Sequence, residues 1–256
     1  MKILLTVAYD GTAYCGWQRQ MNGVSVQQVL EDALREILQA PDLTVTGASR
    51  TDAGVHALGQ RAAFSVAEMK IPVKKICRVL NGRLPADISV RAASEVSEDF
   101  NPRFAAKRKT YRYSIFNQEH GNPLLTRYSW HVTYPLDVPA MREAASHLEG
   151  THDFAAFRAA GGSAKTTERT IFSLTVIERE SEPASQPGLI DLTVTGDGFL
   201  YNMVRIIAGT LVYVGAGKIS AKEMPGIILS GNRARAGITA PPHGLTLMEV
   251  CCTANG

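Results

Sequence analysis

Apolar side chains run almost unbroken from Ile3 to Ala8, with Thr6 the one polar interruption, which predicts a buried strand over residues 2–8. Ser25 then opens a helix through a capping box with Gln28. Val26, Val29, Leu30, Ala33, Leu34, Ile37 and Leu38 recur at helical spacing up to Pro41, which ends the run. Leu43 to Gly47 alternates apolar residues with Thr, as a half-buried strand does. Further patterns predict a strand over about 60–66, a helix over 73–81 and a strand over 88–96, giving an α+β half that ends near residue 105.

The second half repeats this loosely. An aromatic-rich strand is expected over 107–116, a helix over 138–148 closed by Gly150, and two hairpin-paired strands over 170–179 and 189–195. Pro183, Ser185 and Pro187 mark the connection over 180–188 as an exposed loop. A strongly apolar helix over 203–214 follows, then a helix capped by Ser220 with Glu223, and a closing strand over 245–251. The expected division is therefore 1–105 and 106–256.

Composition adds little to the fold but narrows the setting. At 256 residues, with 45% hydrophobic and 20% charged side chains, the chain is an ordinary globular protein with a full core. No segment approaches the ~20 apolar residues of a membrane span, and the run at Met1 to Val7 is too short for a signal peptide. Cysteines at 15, 77, 251 and 252 show no C-x-x-C spacing, so reduced thiols in a cytoplasm are expected. Gly215 to Ile219 has a superficial likeness to a phosphate loop but lacks its first glycine and its hydroxyl residue, and reads as a helix end. The six histidines include no helical metal-ligand pair, and no metal is expected.

The chemistry concentrates between Ala48 and Leu58, where Asp52 stands two residues from Arg50 on a backbone loosened by Gly54. The guanidinium favours the ionised carboxylate, and an ionised, partly desolvated Asp can serve as nucleophile or base. Asp followed two residues on by Gly is equally ordinary turn chemistry, so these residues alone leave both readings open. The net charge is only +3, yet Arg103, Lys107, Arg108, Lys109 and Arg112 fall within ten residues that hold no acid. With Phe104 and Tyr111 interleaved, that run suits contact with a phosphate backbone; a solvated basic strand edge is the alternative.

The segment Arg50-Thr51-Asp52-Ala53-Gly54-Val55-His56-Ala57 resembles the signature of the tRNA pseudouridine synthases of the TruA family. Tyr9 to Gln20, Lys109 to Tyr113, Gly150 to Phe154 and Gly198 to Arg205 resemble further motifs of that family, in its order and over nearly the full chain. Two departures stand out: Ser49 where the family usually has Gly, and Arg61 where an aliphatic residue is usual. The second suggests a more exposed start to its strand.

The resemblance implies a pseudouridine synthase fold, two similar α+β halves whose mixed sheets join around a central RNA-binding cleft. It implies Asp52 as the nucleophile and uridine at positions 38, 39 and 40 of the tRNA anticodon stem-loop as substrate. A homodimer across which the tRNA lies is also implied. No cofactor is expected, since moving a base from N1 to C5 conserves atoms and electrons. The base must be extruded at a cost of about a few kcal/mol, of which stacking on an aromatic offsets roughly 1–3 kcal/mol. By its place in the family motif Tyr111 is the candidate for that stacking and for helping to remove the C5 proton, although pattern alone, with Tyr113 on the same strand face, favours a core aromatic. Arg50 would fix the Asp52 anion or fill the space the base vacates. Arg205, early in an apolar helix, calls for a carboxylate partner, and Asp52 is the natural one; a solvated face is the alternative. Arg103, Lys107, Arg108 and Lys109 are the expected RNA contacts. Rival readings are a related synthase acting on another RNA, an RNA chaperone with a vestigial Asp52, and a hydrolase that releases uracil.

Overall fold

A computed structural model of the chain describes residues 1–179 and 188–252, so most of the loop expected over 180–188 lies outside the described residues. The elements run β1 (Lys2–Tyr9), α1 (Val26–Leu38), β2 (Val45–Gly47), β3 (His56–Ser65), α2 (Val73–Asn81), β4 (Ile88–Val96), α3 (Pro102–Ala105) and β5 (Ala106–Asn117). They continue β6 (Trp130–Val132), α4 (Val138–Ser146), β7 (Gly150–Asp153), β8 (Glu168–Glu178), β9 (Leu189–Gly196), α5 (Met203–Gly215), α6 (Met224–Ser230) and β10 (Leu245–Cys252). This is the α+β class that the patterning predicts.

The chain forms two units, whose boundary differs from the expected one. The first comprises Met1–Lys109 together with the closing strand from Thr246; the second is Thr110–Leu245. The division thus falls inside β5, and β10 leaves the second half. Its backbone explains this: β10 pairs in parallel with β3, Thr246 opposite His56 and Leu247 opposite Ala57, so its polar groups find partners in the first unit. A long-range parallel pairing leaves no mark in a period-two pattern.

In the first unit β1 lies between β3 and β4, antiparallel to both, and β2 pairs with the far end of β3. Ile3 and Leu5 of β1, Leu30 and Leu34 of α1, and Ile76 and Leu80 of α2 are fully buried, each contributing about 1.5–3 kcal/mol by leaving water. Ser25 Oγ accepts the Gln28 N–H at 3.2 Å, the predicted cap of α1. The helix stops at Leu38 because Gln39 turns left-handed (φ 52°), before Pro41 is reached. Glu31, buried on α1, is the polar exception. It meets Arg19 Nη1 at 3.0 Å and accepts the Val45 N–H at 3.0 Å, while Gln27 Nε2 donates to Val45 O at 2.8 Å. A buried charge satisfied in this way ties α1 to β2, the strand that leads into the Asp52 loop.

β3 begins at His56, four residues before the expected start, because the register with β1 and β10 extends to Ala57. This also corrects the expectation of an exposed start: His56, Ala57, Gly59 and Gln60 are buried, and Arg61 is half-buried with Nη1 donating to Thr6 Oγ1 at 2.6 Å.

In the second unit β9 lies between β5 and β8, with β7 beyond β8 and β6 parallel to β5. α5 is buried almost all round, and α4 packs on both α5 and β8. As expected, 215–219 terminates that helix: Ala216 N–H closes onto Val212 O and Gly217 turns to φ +69°. The Ser220–Glu223 box caps a 3-10 turn that runs on into α6, with Ser220 N–H donating to Glu223 Oε2 at 2.8 Å. Tyr113, fully buried, donates its hydroxyl to Pro241 O at 2.8 Å, and burial pushes its phenol far above the ordinary value, so it stays a donor.

Gly209 in the middle of α5 packs against the backbone of Ile238, and a methyl group there would collide with the Ile238 carbonyl. Gly209→Ala raises helix propensity by about 1 kcal/mol, yet overpacking costs typically 1–3 kcal/mol or more. The expected result is a lower urea midpoint; a raised one would show that the 237–238 segment moves aside freely.

Candidate active site

Asp52 opens a tight turn in which the Val55 N–H closes onto Asp52 O at 3.1 Å. Gly54 takes φ +77° at the third position, as a type II turn demands. The turn links β2 to β3, and the segment Tyr9 to Gln20 wraps around it. Tyr9 Oη and Thr51 Oγ1 lie 2.8 Å apart, Trp17 N–H donates to Thr51 O at 3.1 Å, and Gly54 N–H donates to Tyr14 O at 3.3 Å. Gly16, at φ +96°, lets the two backbones meet: a Cβ there would collide with the Thr51 carbonyl. Trp17, almost fully buried, stacks obliquely on Tyr9 with centroids 6.0 Å apart. The two motifs that the sequence offers separately are therefore one construction.

The C-terminal flank of the turn is fixed by His56, which is buried. Its Nδ1 sits 3.0 Å from Gly11 N and 3.1 Å from Asp10 Oδ1. The same nitrogen accepts from the first when neutral or donates to the second when protonated, and either bond holds the start of β3 to the 10–11 corner. Tyr14 Oη donates to Asp87 Oδ1 at 2.6 Å; burial and then the Asp87 charge raise this phenol well above its ordinary range. On the N-terminal flank, buried Gln60 exchanges two hydrogen bonds with the backbone of Ser49, from Ser49 N–H to Oε1 at 3.2 Å and from Nε2 to Ser49 O at 2.6 Å. Nothing at sequence level marks Gln60 for this; a strand glutamine facing inward is visible only once the register of β3 is known. Ser49 adopts no positive φ, so a serine fits this position without strain.

Asp52 itself is half-buried and Arg50 exposed, which brings the guanidinium to the surface two residues from the carboxylate. The basic run divides. Arg103, Lys107 and Arg108 are exposed, as is Phe104 at 75%. Arg112 turns toward Asp191 at 3.9 Å within the second unit, and Lys109 is half-buried with Nζ donating to Ala48 O at 3.0 Å. An RNA-facing role for Lys109 therefore loses its basis in exposure. Tyr111 is buried and meets Phe199 edge to face at 5.3 Å. Arg205 is half-buried, donating from Nε to Ala240 O and from Nη1 to Asn202 Oδ1, each at 2.8 Å. Both of these partners of Arg205 lie within the second unit. No group of three or more metal-ligating side chains occurs among the described residues. All four cysteines are free, and burial raises the thiols of Cys77, Cys251 and Cys252, which keeps them protonated.

An α+β frame that presents one carboxylate on a doubly anchored loop, together with an exposed basic segment, defines a candidate RNA-directed enzyme. Comparison with known proteins makes this specific. A family model described as tRNA pseudouridine synthase matches residues 5–105 and 144–251. The tRNA pseudouridine synthase A of Thermoanaerobacter sp. (strain X514) is 47% identical over 97% of this chain and 98% of its own length. That of Geotalea uraniireducens (strain Rf4) is 48% identical, again over 97% and 98%. Among solved structures, a crystal structure of a Cbf5-Nop10-Gar1 complex is similar at 12% identity and a TM-score of 0.39, covering 96% of this chain and 48% of that one. The chain belongs to the tRNA pseudouridine synthase family and is an isomerase.

Gly16→Ala tests the construction. Strain at a positive φ and the collision with Thr51 O displace the Asp52 turn, and misplacement of about 1 Å costs on the order of 100-fold in rate. We expect pseudouridine formation to fall by at least ten times more than the change in folded fraction explains. A variant that loses activity only in proportion to its unfolding would mean that the turn holds its shape without this contact.

Proposed function

We propose that this enzyme converts uridine to pseudouridine at positions 38, 39 and 40 of the tRNA anticodon stem-loop, with Asp52 as nucleophile. The observation that supports this most is the half-buried Asp52 on a turn fixed from both flanks by Tyr9, Trp17, Gln60 and His56. A preorganised carboxylate meets an everted nucleoside without reorganising, which is what a covalent route requires. The carboxylate adds to uracil C6 or to ribose C1′, the N1–C1′ bond breaks, the base turns, C5 bonds to C1′, and the bond to Asp52 breaks to restore the carboxylate, while C5 gives up its proton and N1 takes one. Each heavy atom of the substrate is kept and the proton lost at C5 is balanced by one gained at N1, so neither an oxidant nor a phosphoryl donor is consumed.

In this reading Tyr111 stacks on the everted uracil, Arg50 takes the space the base leaves, and Arg205 serves the same substrate. Exposed Arg103, Lys107 and Arg108 meet the RNA backbone, with the charge density that such contact needs. Family membership supports a homodimer across which the tRNA lies, and four free thiols suit a cytoplasmic setting.

Two variants separate chemistry from binding. Asp52→Asn keeps the shape and removes the nucleophile, so tRNA affinity stays within a few-fold while product formation is lost; measurable turnover would overturn the mechanism. Lys107→Ala weakens tRNA binding and lowers the slope of log Kd against log salt by about 1. An unchanged slope would show that Lys107 does not face RNA.

A further inference from the structure

Ala48 and Ser49 lead the chain from β2 into the Asp52 turn, and both are nearly fully buried. Buried backbone groups must find partners, and here each of the four does. Ala48 N–H donates to Arg61 O at 2.8 Å, in continuation of the β2–β3 pairing. Ser49 N–H and Ser49 O are both taken by the Gln60 amide, which imitates a neighbouring strand. Ala48 O is taken by Lys109 Nζ at 3.0 Å, and the same ammonium lies 3.4 Å from Ser49 Oγ. Lys109 comes from β5, sixty residues along the chain within the same unit, and is the sole charged donor in this set.

We infer that Lys109 is a positioning residue for the nucleophile loop and not one of the RNA-backbone cations of its segment. The inference rests on the reading of Asp52 as nucleophile. An ammonium bonded to a buried carbonyl is a stronger tie than a neutral donor and fixes the strand-to-loop transition four residues from the carboxylate. Its direction is also wrong for phosphate, since it is half-buried where Lys107 and Arg108 are exposed. Ser49, the residue by which this chain departs from the family's usual glycine, adds a hydroxyl to the partners of the same nitrogen. The shorter contact to Ala48 O makes the serine an accessory and the lysine the principal tie.

The test measures kcat per folded enzyme, KM for tRNA, and the salt slope of tRNA binding in Lys109→Met, Lys109→Gln and Lys109→Arg, beside Asp52→Asn. Lys109→Met removes the donor, and kcat is expected to fall 10- to 100-fold with the parental salt slope. Lys109→Arg, which still donates to the carbonyl, recovers most of the turnover. Lys109→Gln, whose shorter neutral amide reaches Ala48 O less well, loses several-fold in kcat with the slope again parental, and it decides the matter if Lys109→Met does not fold. A slope lowered by about 1 in Lys109→Met or Lys109→Gln would return the residue to the RNA interface and overturn the proposal. Parental kcat in either variant would do the same. Turnover by Asp52→Asn reports separately on the nucleophile, so a failed lysine test with an inactive Asp52→Asn condemns only the positioning role.

Discussion

The close approach of two backbones, Gly16 onto Thr51, is the constraint on which the rest of the site depends. It is possible because residue 16 has no side chain and a positive φ, and it lets Trp17 N–H and Tyr14 O hydrogen-bond the Asp52 loop from one side. The segment that makes this contact is itself fixed, since Gly16 O and Trp17 O accept from Val26 N–H and Gln27 N–H at the start of α1. α1 in turn carries Glu31 and Gln27, which bond both polar groups of Val45 at the head of β2. The loop is thus anchored twice to the same helix, once through the Gly16 corner and once through the strand that precedes it. A loop held like this has few backbone conformations to lose when substrate arrives, which is where preorganisation enters the rate.

Charge in this chain is sorted by burial more than by sequence proximity. Five basic residues lie within ten positions of one another, yet Arg112 turns to Asp191 and Lys109 to a backbone carbonyl, while three stay exposed. A basic run read from sequence therefore overstates the surface available to RNA. The partition is also physically economical, because a lysine stem can lie along apolar surface while its ammonium finds a carbonyl.

Much of the fold is legible in the sequence alone. α2 and β4 fall at their expected limits because an amphipathic nine-residue helix and an alternating strand each carry their own period. β10 was legible as a strand but not as a partner of β3, and the early start of β3 at His56 was missed for the same reason: pairing is long-range and sequence period is local. For the site, the Asp52 motif and the Tyr9 to Gln20 motif were visible as separate segments, while their mutual packing was not. Gln60, Glu31 and Lys109 escaped notice as anchors because a polar side chain that serves the backbone looks the same in sequence as one that serves solvent. Arg61 misled in the opposite direction, its charge suggesting exposure where the side chain lies half-buried against Thr6.

The central claim is that one anchored carboxylate rearranges uridine within tRNA without help from another reagent. Release of tritium from C5-labelled uridine in unmodified tRNA, in buffer with no added cofactor and with free base assayed in the same reaction, tests it most directly. The account predicts tritium in solvent in step with pseudouridine in the RNA and no free uracil. Uracil appearing in solution, or tritium retained while the enzyme is saturated with tRNA, would contradict it.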